Sequence, residues 1–364
     1  MKKNLLNKYS LFAQDTFVQP QSKMIGIKKA ASNPILHYII FGVIIMVVLY
    51  MAVQLKVLPY SWYGGIIYTA AYSISSIGFC LLMGYSGLAS LGTGGFIGIG
   101  CYAVYYVTAL SGLPFIVSVI AAIVIAAVIG VIVGFISLRI ESIYLVILTL
   151  GLSEILRNIY MSLSDSINIG TIKIFGSALK TADVMYVIIP VLIIIMIITH
   201  NIIVSPTGRA MLAMKNSTAA AQAMGISLLK YRLMAFIICT IYAAISGSML
   251  ILRSGAATAS SGTSFYALIT SLNILAAVII GGYKSIWGAV FGTFVMYGLN
   301  STILQSIPFF TENPALITII SGVLVIVVVM FYPGGLAQLL QNLKFTFAKW
   351  KKKIREDKYG KDIG

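Results

Sequence analysis

Charge is what this chain has least of. Nine Asp and Glu with 25 Lys and Arg amount to 9% of its 364 residues, against about 25% in a soluble domain. With 59% hydrophobic residues and a mean hydropathy of +0.99, a water-soluble fold is excluded. Histidine and cysteine are equally scarce. His37 and His200, each near the end of an apolar run, leave a metal centre almost no ligands. Cys80, Cys101 and Cys239 lie inside apolar runs and read as small packing residues rather than a disulfide or metal site. Phosphate-loop (G-x-x-x-x-G-K-[ST]), H-E-x-x-H and G-x-S-x-G motifs are all missing. Catalysis is therefore not expected, no cofactor is expected on this chain, and any ATP-driven step needs a separate ATPase polypeptide.

What is present is a series of long apolar runs. A helix needs about 20 apolar residues to cross the bilayer, which places ten spans at approximately 35–54, 62–83, 95–111, 113–138, 142–162, 183–204, 231–253, 264–281, 285–307 and 314–333. The runs are continuous rather than alternating, so membrane strands are not expected. The expected fold is all-α: a polytopic bundle over 35–340, flanked by basic tails at 1–34 and 341–364. Twenty of the 25 basic residues fall on one side if both termini are cytoplasmic, leaving Lys56, Arg157, Lys173, Lys180 and Arg253 outside. The net charge of +16 collects in tails and short loops. It points to an anionic bilayer surface and not to nucleic acid, for which no motif is present. The loop 164–182 is the longest external one, a solvated cap or a docking place for an external partner.

Four stretches could carry function. Ser205–Arg232 is the one long polar, basic break in the apolar part of the chain. Pro206 can open a helix there and Gly225 can stop one in the left-handed conformation, giving a short helix or helix pair. Met211, Met214 and Met224 are expected to be exposed along one side, ready for a partner; the alternative is a helix lying flat on its own bundle. Residues 84–100 hold seven glycines with Ser86, Ser90 and Thr93. They suit either small-residue packing or a non-helical segment lining a translocation path. Glu154, the one acid well inside a span, shares a helix face with Arg157. The pair either fixes packing or meets a zwitterionic substrate or external partner, and a single acid is thin support for proton coupling. In GGYKSIWGAVFG (281–292), Gly288-x-x-x-Gly292 offers a close-packing face, repeated at Gly130 and Gly134. Asn273 is expected to face the bundle interior. Ser153 joins Ser86, Ser90, Thr93, Glu154, Arg157 and Asn273 as candidate pathway residues.

These stretches, in order, resemble one family. GRAMLAMKNSTAAAQAMGISLLKYRLMAF, GYSGLASLGTGGFIGIGCY, IYLVILTLGLSEILRN and VIIGGYKSIWGAVFG are together similar to the signatures of the branched-chain amino acid ABC-importer permeases of LivM type. The resemblance implies a ten-helix inner-membrane (bacterial cytoplasmic membrane) subunit with its pathway at a subunit interface. It also implies a second, LivH-like permease, two cytoplasmic ATPase subunits that bind ATP and Mg, and an extracytoplasmic substrate-binding protein. Gly208, Arg209, Ala219, Ala220, Ala221, Gln222, Gly225 and Ile226 then inherit the role of ATPase coupling. Lys215-Asn216-Ser217-Thr218 replaces a more charged run, Gln222 stands where an acid is common, and Lys284-Ser285 replaces glycine-serine. Related permeases carry urea, nucleosides or simple sugars, so these substrates stay open beside aliphatic amino acids. A lone secondary transporter using Glu154, or a membrane scaffold, is the reading from another class.

Overall fold

The computed structural model describes residues 34–54, 60–137, 142–170, 173–174, 177–178, 183–260 and 265–303, with single positions between 316 and 336. The expected tails at 1–34 (all but Pro34) and 341–364, and most of the tenth span at 314–333, lie outside the described residues. In chain order the helices are α1 (Pro34–Gln54), α2 (Tyr60–Leu81), α3 (Thr93–Ala103), α4 (Phe115–Ser137), α5 (Ser142–Ser164), α6 (Met185–Val204), α7 (Pro206–Asn216), α8 (Thr218–Ala223), α9 (Leu228–Ser254), α10 (Leu268–Gly281) and α11 (Ile286–Thr293). Wider π-helical turns extend α2 over Leu82–Ser86, α3 over Val104–Leu110 and α11 over Phe294–Ile303.

Among the described residues six helices are long and apolar enough to cross a membrane, and three shorter apolar ones accompany them. The chain is thus a multi-pass, essentially all-α membrane protein. Among the described residues strands enter as two short antiparallel ladders. Ser166–Asn168 (β1) pairs with Ala256–Thr258 (β4), Ser166 opposite Thr258, and Lys173–Ile174 (β2) pairs with Ser177–Ala178 (β3). Residues 166–168 of the external loop are therefore joined to the segment after α9.

Helix α9 is the centre of the bundle, packed on α2, α3 and α4. The contact with α3 is a backbone crossing. A Cβ on Gly100 would overlap the Ala244 carbonyl, and one on Gly247 would overlap the Ile97 carbonyl. Small residues permit that approach, and hydroxyls and thiols then bond across it. Cys101 Sγ donates to Gly247 O at 3.3 Å and Ser248 Oγ to Gly100 O at 3.4 Å, while Ser246 Oγ ties α9 to α2 through Ala71 O at 2.8 Å. Gly288 and Gly292 do the same for α10 and α11, where their missing side chains let the backbone of Gly281 and Ala277 come close. By contrast α4 presents Ile116, Ile120, Val124, Val128 and Ile132 outward, a wholly apolar face suited to lipid.

Candidate functional site

The end of the bundle opposite the ladders carries an elbow of two short helices. Ser205 Oγ caps α7 by accepting from Gly208 N at 3.4 Å, with Pro206 at the first helical position. Gly208 has no room for a Cβ against the Ile202 and Ile203 carbonyls, so the corner between α6 and α7 needs glycine. Arg209 folds back and donates to Val204 O at 3.0 Å, satisfying the end of α6. Ser217 Oγ caps α8, and Gly225 ends the turn that follows it at φ 78. Ile226 N then donates to Ala221 O at 2.9 Å, turning the chain into α9.

One side of this elbow belongs to the bundle. Met211, Met214 and Ala221 are buried, which corrects the expectation that Met211 and Met214 lie exposed. Spaced three apart on α7, they face the core, where apolar surface gains most from leaving water. The other side is open. Ala219, Ala220 and Gln222 are exposed, and Met224 is 80% exposed. Beside them lies a groove of about 640 Å³ lined by Gln222, Gly225, Ile226, Ser227, Leu228, Leu229 and Arg232. The buried Arg232 Nε in its wall has no hydrogen-bond partner among the described residues. Ser205–Arg232 holds Arg209, Lys215, Lys230 and Arg232 and no acid, so the elbow as a whole is positive.

The glycine-rich stretch 84–100 is broken, not a continuous helix. After the π turn, Gly87 takes φ 74, residues 87–92 are non-helical, and α3 starts at Thr93. The start of α3 lies in the interior, level with the middle of α5. Leu91 N donates to Thr149 Oγ1 (3.0 Å), Gly94 N to Ser271 Oγ (2.8 Å) and Gly95 N to Ser153 Oγ (3.0 Å). Thus three side-chain hydroxyls satisfy backbone donors that the break would leave unpaired. Thr149 lies in the quoted stretch IYLVILTLGLSEILRN, whereas Ser271 had no motif to mark it.

The candidate pathway residues separate into two groups. Ser86 donates to Leu82 O, Ser90 accepts from Gly92 N, and Ser153 serves Gly95; all three are buried and occupied with backbone. Thr93 Oγ1 is buried with no partner among the described residues. Asn273 is half-buried and hydrogen-bonded to the Tyr297 hydroxyl. Glu154 and Arg157 form the ion pair that the i, i+3 spacing predicts, at 3.3 Å. Arg157 also donates to Ala259 O (3.0 Å) and Ser260 O (3.2 Å), pinning the segment after β4. Asp165 grips the same segment through Ser260 N at 2.8 Å. Arg157 is thereby a clamp at the ladder end. Glu154, its side chain 36% exposed, shares an outward stripe of α5 with exposed Asn158 and with Gly151, beside which a Cβ would meet open space. Polar groups this deep in an apolar helix face protein or water rather than lipid.

Among the described residues no group of three or more His, Cys, Asp or Glu could hold a metal ion. The model of the family described as "Branched-chain amino acid transport system / permease component" matches residues 62–329. The chain is 25% identical over 299 residues to the high-affinity branched-chain amino acid transport system permease protein LivM of Salmonella typhimurium, covering 74% of this chain and 68% of that protein. It is 25% identical over 259 residues to the LivM protein of Escherichia coli, covering 63% of this chain and 60% of that one. No solved structure matches. With three quarters of its length inside the family model and its apolar helices in that region, the chain belongs to the permease components of branched-chain amino acid transport systems.

Proposed function

We propose that this chain is the membrane subunit of an ATP-driven importer of branched-chain amino acids, with the hydrolysis done by separate ATPase subunits. The observation that carries the reading is the elbow: a self-capped, exposed, acid-free helix pair beside a groove, joined directly to α6 and to the central helix α9. Such a surface presents a rigid patch to a protein partner, and its basic, acid-free composition suits an acidic one. The elbow end is then cytoplasmic, in agreement with the excess of basic residues on that side. The ladder end faces the binding protein that delivers substrate. The polar stripe of α5 is the face turned toward the pathway and the second permease subunit. ATP-driven approach of the ATPases would move the elbow and rock the helices between outward and inward access.

The test uses vesicles holding the complete transporter, its binding protein and ATP. Labelled leucine uptake should be chased by excess isoleucine or valine and left intact by urea, ribose or adenosine; a chase by the latter group would move the substrate assignment. The half-exposed Glu154 is the one feature favouring a proton-coupled carrier, and it yields a clear contrast. Glu154→Gln should retain most ATP-driven uptake, because Arg157 keeps its two carbonyl partners. Abolition of uptake by this substitution would favour the carrier.

A further inference from the structure

We propose that Lys215 is a positioning residue that passes movement of the elbow to the break between α2 and α3; the inference rests on the importer reading above. Lys215 is in the last turn of α7, and its ammonium reaches 131 residues back along the chain. Nζ donates to Gly84 O at 2.7 Å and Met83 O at 3.2 Å, and sits 4.4 Å from the centre of the Tyr283 ring. The two carbonyls belong to the π turn that closes α2. Leu82 O already takes donors from Ser86 Oγ, Gly87 N and Leu88 N, so the next two carbonyls are those the chain's own end leaves for an outside donor.

The receiving end is stiff. A Cβ on Gly84 would overlap the Tyr283 carbonyl. Cys80 Sγ donates to that same carbonyl at 3.2 Å, and Tyr85 OH to Lys284 O at 3.2 Å. The end of α2 and the turn from α10 to α11 thus form one unit, with Lys215 inserted between it and the elbow. Beyond Gly84 the chain has only Tyr85, Ser86 and the non-helical residues 87–90 before Leu91, and then Gly94 and Gly95, attach to Thr149, Ser271 and Ser153 on α5 and α10. A displacement of α7 therefore meets the interior start of α3 through short, hydrogen-bonded steps, with no long flexible loop between.

A plain helix cap would make the same bonds, but its loss would weaken the fold without changing how much transport each ATP yields. The experiment measures leucine uptake and ATP hydrolysis in the same vesicles of the complete transporter. Lys215→Met should keep most of its hydrolysis while uptake per ATP falls about tenfold, and Lys215→Arg should restore most of the loss. An unchanged ratio in Lys215→Met overturns the proposal. Should that variant fail to accumulate, pH decides. Burial first and the Lys284 ammonium second lower the Lys215 pKa, opposed by Cys80. The groups facing it are Lys284 and Tyr283 on the α10–α11 turn, Cys80 on α2 and Tyr85 on the π turn. Lys215 then sheds its proton at lower pH than a free lysine, whereas arginine stays charged. Between about pH 7 and pH 10 uptake per ATP should fall in the natural chain and stay level in Lys215→Arg; parallel profiles overturn the proposal. Absence of any ATP-dependent uptake by the natural transporter would instead sink the importer reading itself.

Discussion

Leucine at Gly100 should remove the protein from the membrane fraction. A single added carbon already overlaps the Ala244 carbonyl and crowds Ser248 N, both on α9. Both partners are helix backbone, so neither can swing aside as a side-chain tip would. The crossing is reciprocal, since Gly247 is held just as tightly by the Ile97 carbonyl. Relief requires α3 and α9 to separate, which breaks the Cys101–Gly247 bond and the packing on Phe96 and Phe236 around it. Overpacking costs about 1–3 kcal/mol where side chains can adjust and more where, as here, backbone must move, a large share of the roughly 5–15 kcal/mol that holds a domain together. Leucine at Gly151, where a Cβ meets nothing within 4 Å, is the matched control and should accumulate like the natural chain. Fluorescence-detected size exclusion of detergent extracts, on the chain expressed alone, separates the outcomes. Equal monodisperse peaks for the two variants would contradict the crossing.

Glutamate at Met224 should release the ATPase subunits while leaving the permease itself intact. Met224 is 80% exposed, so its replacement changes the stability of the isolated chain by no more than about 0.5 kcal/mol. It follows α8 directly, next to the groove containing Gln222, Gly225 and Arg232. A carboxylate there adds a charge that docking of a partner would have to desolvate. Interface anchors are worth about 2 kcal/mol or more, enough to lose most of the ATPase from an affinity-purified complex. Full co-purification with Met224→Glu would place the docking surface elsewhere. Gly225 is the less informative position, because at φ 78 any side chain adds backbone strain to whatever it does at the interface.

How much of this was legible in the sequence depends on where the partners are. The long helices could be placed closely, 142–162 against Ser142–Ser164 and 183–204 against Met185–Val204, because apolar length is a property of the run itself. Caps were equally legible, since Pro206 and Gly225 act on their own backbone. The glycines of 84–100 signalled a break or close packing without separating them, and the structure contains both: Gly87 turns at a positive φ, while Gly94, Gly95, Gly98 and Gly100 lie against neighbouring helices. What escaped was every role defined by a distant carbonyl. Lys215 read as one basic residue of the polar break, and Arg157 as half of an ion pair, because a backbone acceptor leaves no mark on residue type. Met211 and Met214 were misassigned for a related reason. A short helix with apolar residues on more than one side does not say which side has a bundle behind it.

We propose that this permease works through ATPases bound at its elbow. Leucine accumulation in proteoliposomes with a protonophore present tests this, comparing the complete transporter supplied with ATP and binding protein with this chain alone. The expected result is ATP-dependent accumulation by the complete transporter, unaffected by the protonophore, and none by the chain alone. Accumulation by the chain alone, driven by an imposed proton gradient and abolished by the protonophore, would contradict it.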